Sequence, residues 1–207
     1  MENNSNILCA FLELEQDLFF DKIPKDKYWY YIDAAIKQGK KIYEEYKPID
    51  IYELYKQHHI QIIMDSKGGE FYKVRLRAQF EFDKQGNHKV YMYQKSIQEL
   101  AKYLNMDADT ITKMYLCHEF FHFDEMTQNR IVAEQLDKVQ RTKILGKKLY
   151  ASIQRTSEIS AHVFAQCMMK LPYMTNYYDY LYLMELNEIP SDYLEERENE
   201  VKELLQL

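Results

Sequence analysis

Glycine and proline are scarce in this 207-residue chain, at five and four residues. With no Gly-, Ser- or Pro-rich linker and no repeat at solenoid or propeller periods, the chain reads as one domain of 1–207. Cysteine is scarcer still. Cys9, Cys117 and Cys167 form an odd set without a C-x-x-C pair, which fits reduced, buried thiols better than a disulfide framework or a cysteine zinc site. Basic charge is not in excess: the formal net charge is −6 and the pI about 5.6, which argues against direct binding of nucleic acid because an acidic surface repels phosphates. Long apolar runs are missing as well. The longest near the start, Ile7 to Leu12, is too short to span a bilayer and has no basic flank before it. Neither a signal peptide nor a membrane anchor is expected, and a cytoplasmic location is the default.

What is present favours helices, because Leu, Lys, Glu, Gln and Met recur in long runs. Apolar spacing predicts helices over Ile7–Phe20, about Lys25–Tyr46 and Ile51–Gln57, the last capped by Asp50. The character changes at Ile60. Ile60–Met64 is a short apolar run, Lys67-Gly68-Gly69 a turn, and Tyr72–Phe82 alternates apolar with polar residues, predicting a half-buried antiparallel strand. Asp83–Asn87 is turn chemistry, and Lys89–Tyr93 returns as a hairpin partner. A capping-box pattern at Ser96–Glu99 opens a helix to Leu104, and Asp107 or Asp109 caps the next. Thr127–Met169 reads as two helices broken near Gln140–Gly146, followed by helices over Met174–Leu186 and beyond Pro190. The expected fold class is α+β, mainly helical, with a small antiparallel sheet of about three strands packed against the helix that follows Asp109.

That helix carries Cys117-His118-Glu119-Phe120-Phe121-His122-Phe123. On a helix, H-E-x-x-H turns two imidazoles to one face, where they grip a single metal ion. At roughly 100° per residue, His122 lies roughly 40° from His118 and Glu119 roughly 60° beyond His122. Glu119 is thus beside the metal without ligating it, where it can take a proton from an activated water and pass it to a leaving amine. A hydrolytic zinc site wants three protein ligands and one open position. The candidates for the third are Glu158 and, four residues on along the same face, His162, which alternatively hydrogen-bonds a ligand. Ser160, Ala161 and Ala165 would let their helix approach another closely.

His118-Glu119-x-x-His122, then Glu158-x-x-Ala161-x-x-Phe164-Ala165 and Leu171-Pro172, resembles the ImmA/IrrE family of zinc metallo-endopeptidases, a gluzincin-like pattern. The match covers roughly Asp50 to Pro172, so residues 1–50 and 173–207 would be helical additions to a zincin-like core of 51–172. The resemblance implies one Zn2+ per chain, with His118, His122 and Glu158 as ligands and Glu119 as catalytic base. It implies hydrolysis of a specific intracellular protein, of which a transcriptional repressor is one type; the alternative is a catalytically inactive metal-binding module of the same fold that binds a regulator. A metallohydrolase of small molecules is a third reading. The chain departs from the family at His162, where members carry Asn or Asp, and at Phe121, where they carry Gly.

Other residues have plainer readings. His58, His59 and His88 are expected in packing or solvated roles, and Cys117 points off the metal face as a buried thiol. Among Tyr115, Tyr150, Tyr173, Tyr177 and Tyr178 one is a candidate oxyanion donor. Glu195–Glu203 reads as a solvated helix face. If Lys89–Tyr93 is an edge strand, an extended substrate would add to it.

Overall fold

In a computed structural model, residues 4–66, 70–71 and 74–205 are described. The expected turn at Lys67-Gly68-Gly69 lies outside them. The element order is α1 (Asn4–Glu15), α2 (Tyr28–Tyr46), α3 (Ile51–Gln57), β1 (Gln61–Asp65), β2 (Glu70–Phe71), β3 (Val74–Arg75), β4 (Ala78–Glu81) and β5 (Lys89–Tyr93). Then come α4 (Gln94–Leu104), α5 (Ala108–Thr127), α6 (Val132–Gln135), β6 (Val139–Ile144), β7 (Lys147–Ala151), α7 (Arg155–Met169), α8 (Thr175–Glu185) and α9 (Tyr193–Leu205). The fold class is α+β, mainly helical. No described helix is long and apolar enough to cross a membrane.

Local chemistry sets several boundaries. Asp50 accepts from the Tyr52 N–H and Asp107 from the Thr110 N–H, satisfying amides that a first helical turn leaves without partners. The Ser96 capping box does not form. α4 begins two residues earlier, and Ser96 Oγ donates instead to Leu76 O at 2.7 Å.

The main sheet has the order β1-β5-β4 and is mixed, not antiparallel: β5 pairs with β4 antiparallel and with β1 parallel. The short run Ile60–Met64 gave composition for a strand but nothing about its direction, which depends on how the chain crosses over. Lys89–Tyr93 is consequently the central strand, covered on both sides, and offers no edge to a substrate. Among the described residues β1 and β4 are the edges, and β4 is the one that lines the candidate site.

Two further expectations are corrected. Of the expected Tyr72–Phe82 strand, Tyr72 and Lys73 lie outside the described residues, and the rest is not one strand; it breaks at Leu76-Arg77 between β3 and β4. Arg77, expected to face solvent, is buried, donating to Ser96 O and to Asp179 Oδ1 (3.1 Å), while the Tyr115 hydroxyl donates to Asp179 Oδ2 (2.7 Å). A buried guanidinium needs such partners, and tertiary contacts outweighed the period-two pattern. The break expected near Gln140–Gly146 is a hairpin, β6–β7, whose second strand takes the start of the second predicted helix, so that α7 begins only at Arg155; of the first predicted helix the short α6 forms.

Two clusters of buried side chains form the core. One joins α3, α4, α5 and the sheet, with Phe120 and Phe121 fully buried against Phe164 of α7; each contributes roughly 1.5–3 kcal/mol. The other joins α1, α2, α7 and α9. α7 belongs to both. Its close approach to α2 is set by Gly39, where a Cβ would stand 2.5 Å from Ser160 O and 2.9 Å from Val163 Cβ. Ser160 Oγ also donates to Ala35 O across the same crossing.

Candidate metal centre

α5 and α7 supply the site. Leu116, Cys117, Phe120 and Phe121 bury the far side of α5, so His118 and His122 project toward the first turn of α7. His118 Nε2 is 3.2 Å from Glu158 Oε2, His122 Nε2 is 3.3 Å from His118 Nε2 and 3.5 Å from Glu158 Oε2. The ligand atoms of these three residues all lie within 4.8 Å of one another. Donor atoms around a tetrahedral zinc at 2.0–2.1 Å stand roughly 3.3 Å apart, so the trio has the spacing and donor types that such an ion takes.

The electrostatics fit a cation. Burial holds the His118 imidazole down to about 4, keeping it neutral as a ligand must be. Burial works against a charged His122, but Glu125 and Glu158 outweigh it and raise that group well above its usual range. Burial would likewise raise Glu158, and its two histidine partners hold it far below the ordinary carboxylate range instead. Two carboxylates around one imidazole make a site that demands positive charge.

Glu125, which sequence reasoning missed, orients the second ligand. It is buried, with Oε2 3.2 Å from His122 Nδ1, while Oε1 accepts from Ser157 Oγ (2.8 Å) and the Val132 N–H (2.7 Å). One carboxylate thereby ties α5, α6 and α7 together and fixes the ring of His122, the arrangement by which a ligating histidine is usually held. The signal was the spacing His122-x-x-Glu125, which places both on one helical face. His118 has no such partner: its Nδ1 is buried without a hydrogen bond.

His162 lies outside the trio. Its Nδ1 is 2.5 Å from Thr175 Oγ1 and its Nε2 is 3.6 Å from Glu13 Oε2, with the ring packed on His118 at 4.5 Å between centroids. The larger residue at this position reaches past His118 to α1 and α8. Glu13 was also missed, although an acid inside the most apolar helix is itself a signal. Its buried carboxylate accepts from Arg155 Nη1 at 2.8 Å.

Glu119 sits beside the trio, half-buried, and its carboxylate has the Phe80 N–H of β4 as backbone partner. Burial pushes this group up to about 7, with Glu158 adding to the rise and His122 opposing it. Two cavities, of 360 and 670 Å³, flank the centre and share Ala78, His118, Glu119, Arg155 and Glu158, so they form one cleft passing over the trio. β4 and α7 are its walls. The first cavity is closed by α1 and α8 through Glu13, Gln16, Asn176 and Tyr180.

Of the tyrosines named from sequence, Tyr115 lines this cleft. Tyr150 is exposed on the β6–β7 hairpin, Tyr173 stacks on Tyr177 at 4.2 Å, and Tyr178 is in the core. Tyr180, not singled out beforehand, also lines the cleft. Cys117 is buried, and that burial raises its thiol far above the usual range. His58 and His88 pack among Phe120, Phe123, Phe80 and Phe82.

No family model, no curated protein and no solved structure matches this chain.

Proposed function

We propose that the protein is a zinc-dependent endopeptidase of the ImmA/IrrE type, hydrolysing a peptide bond of an intracellular protein, with a transcriptional repressor as one such substrate. The observation that carries this reading is the convergence of His118, His122 and Glu158 in a cleft with a half-buried Glu119, outside the trio, beside them. His118, His122 and Glu158 would hold the ion. Bound zinc supplies Lewis acidity for a carbonyl and a nucleophilic water at neutral pH.

The remaining chemistry belongs to the chain. An extended substrate lies along β4, the edge strand on the cleft side, whose backbone supplies hydrogen bonds and aligns the scissile amide with the trio. Glu119 removes a proton from the attacking water and delivers it to the departing amine, held in place by the Phe80 N–H. Tyr180, whose hydroxyl accepts from Gln16, and the cleft arginine Arg155 are donors for the developing oxyanion, whereas the Tyr115 hydroxyl is already given to Asp179. Cavities on both sides of the trio favour an internal bond of a polypeptide over a small molecule.

Metal analysis of protein purified without chelator should give about one zinc per chain. Glu119→Gln should keep that zinc and lose cleavage by roughly 10²–10⁴-fold. Cleavage products from a host lysate treated with wild type and with Glu119→Gln identify the substrate. Zinc retained with no difference between the two lysates would favour the inactive binding module, and no zinc under zinc-replete conditions would overturn both readings.

A further inference from the structure

The β6–β7 hairpin has a composition unlike the rest of the molecule. Residues 139–151 hold Arg141, Lys143, Lys147 and Lys148 and no acid, within a chain of net charge −6. Lys143 and Lys148 stand directly opposite each other across the two strands. Like charges in a cross-strand pair oppose hairpin formation, and among the described residues no ion pair neutralises Lys143, Lys147 or Lys148.

The same hairpin carries a concentration of exposed apolar side chains: Leu145, 99% exposed at the turn, with Ile144, Leu149 and Tyr150 behind it. β6 and β7 pair with no third strand among the described residues, so both outer edges keep unpaired backbone groups. The hairpin meets the body at its base, where Val139 is buried and Arg141 lies 5.8 Å over the Phe19 ring. From β7 the chain runs through Ser152 and Ile153 to Gln154 and Arg155, which line the cleft.

We infer that this hairpin is an exosite for an extended segment of the protein substrate in which acidic and aliphatic residues alternate. The inference rests on the peptidase reading above. The register explains the alternation. Thr142, Ile144, Lys147 and Leu149 share one face of the ribbon, whereas Lys143, Lys148, Gln140 and Tyr150 share the other. A strand added to either edge sends successive side chains to opposite faces, so its carboxylates meet the lysine pair while its aliphatic residues meet Ile144 and Leu149. The bound segment relieves the Lys143–Lys148 repulsion and continues toward the cleft.

An anionic membrane fits less well. Lys147 stands level with Ile144 at the tip, and Leu149 and Tyr150 lie nearer the base than the lysines instead of beyond them. A flat anionic surface would also face the acidic remainder of the molecule, which a single peptide segment avoids.

The test is fluorescence anisotropy of the full chain with a fluorescein-labelled peptide of alternating glutamate and valine. Wild type should bind it, more weakly as salt rises. Lys143→Glu/Lys148→Glu should weaken binding at least roughly tenfold, and Lys143→Arg/Lys148→Arg should keep it, with circular dichroism showing all three proteins folded. No binding, or binding indifferent to the Glu pair, overturns the inference. So does cosedimentation of wild type, but not of the Glu pair, with phosphatidylserine–phosphatidylcholine vesicles while the peptide fails to bind. The titration needs no catalysis. Hairpin-dependent binding without any peptide cleavage counts against the peptidase reading alone, and cleavage without such binding counts against the exosite alone.

Discussion

Glu125 Oε2 lies 3.2 Å from His122 Nδ1, and that contact turns the opposite nitrogen of the ring, Nε2, toward His118 and Glu158. A single residue three positions along the same helix therefore decides where the second ligand points. Glu125→Ala should lower zinc affinity by about 10–100-fold, measured by competition with a chelating dye. Glu125→Gln, which keeps an acceptor for the Val132 N–H, should lose less. Unchanged affinity in the alanine variant would remove Glu125 from the site.

Glu158→Ala should abolish zinc retention, whereas His162→Ala should leave it close to one ion per chain, because Thr175 and Glu13 hold that ring away from the trio. Elemental analysis of the two variants decides the matter. Loss of zinc from His162→Ala with retention in Glu158→Ala would reverse the ligand assignment.

Gly39→Ala tests how α7 is positioned. In an exposed helix this change stabilises by about 1 kcal/mol, but here the added Cβ would stand 2.5 Å from the Ser160 carbonyl oxygen. Overpacking of this kind costs about 1–3 kcal/mol, so the variant should melt lower by roughly 2–4 °C for each kcal/mol lost. Zinc affinity should fall with it, since Glu158 rides on α7. A melting temperature at or above wild type would show that the crossing relaxes freely.

Glu13 carries a pH-dependent contribution. Burial raises its carboxyl, but the nearby His162 and Arg155 outweigh burial and leave it below the usual value. A group depressed by folding stabilises above its unfolded pKa, roughly 4.3 for a glutamate, and loses that contribution as pH falls through its folded value. Glu13→Gln should therefore melt below wild type at neutral pH, and the gap should close in acid below about pH 4. A gap independent of pH would mean that Glu13 acts by shape alone.

Much of the centre was legible from spacing. H-E-x-x-H fixes the relative directions of His118, Glu119 and His122 as soon as the segment is helical, and the Asp50 and Asp107 caps are equally local. Alternation located the strands near Phe80 and Val90 but not the break at Arg77, where burial needed Ser96 and Asp179 from elsewhere in the chain. The β6 segment was read as a break between helices and the β7 segment as the start of the second helix, because its lysines and leucine favour helix locally and a two-stranded ribbon depends on cross-strand pairing that a short window does not contain.

The sequence by itself determined the chemistry available: two imidazoles and a carboxylate at helical spacing, a second carboxylate on a later helix, an acidic chain poor in glycine, proline and cysteine. Tertiary structure alone decided which of these groups meet. Gly39 sets the approach of α7 to α2 and so places Glu158; Glu125 aims His122; Thr175 and Glu13 draw His162 aside; and the crossover puts β5 in the centre and leaves β4 at an edge. Helical spacing is a property of consecutive residues, whereas distances between helices depend on side chains far apart in the chain packing at fixed volume, and only the folded molecule specifies those.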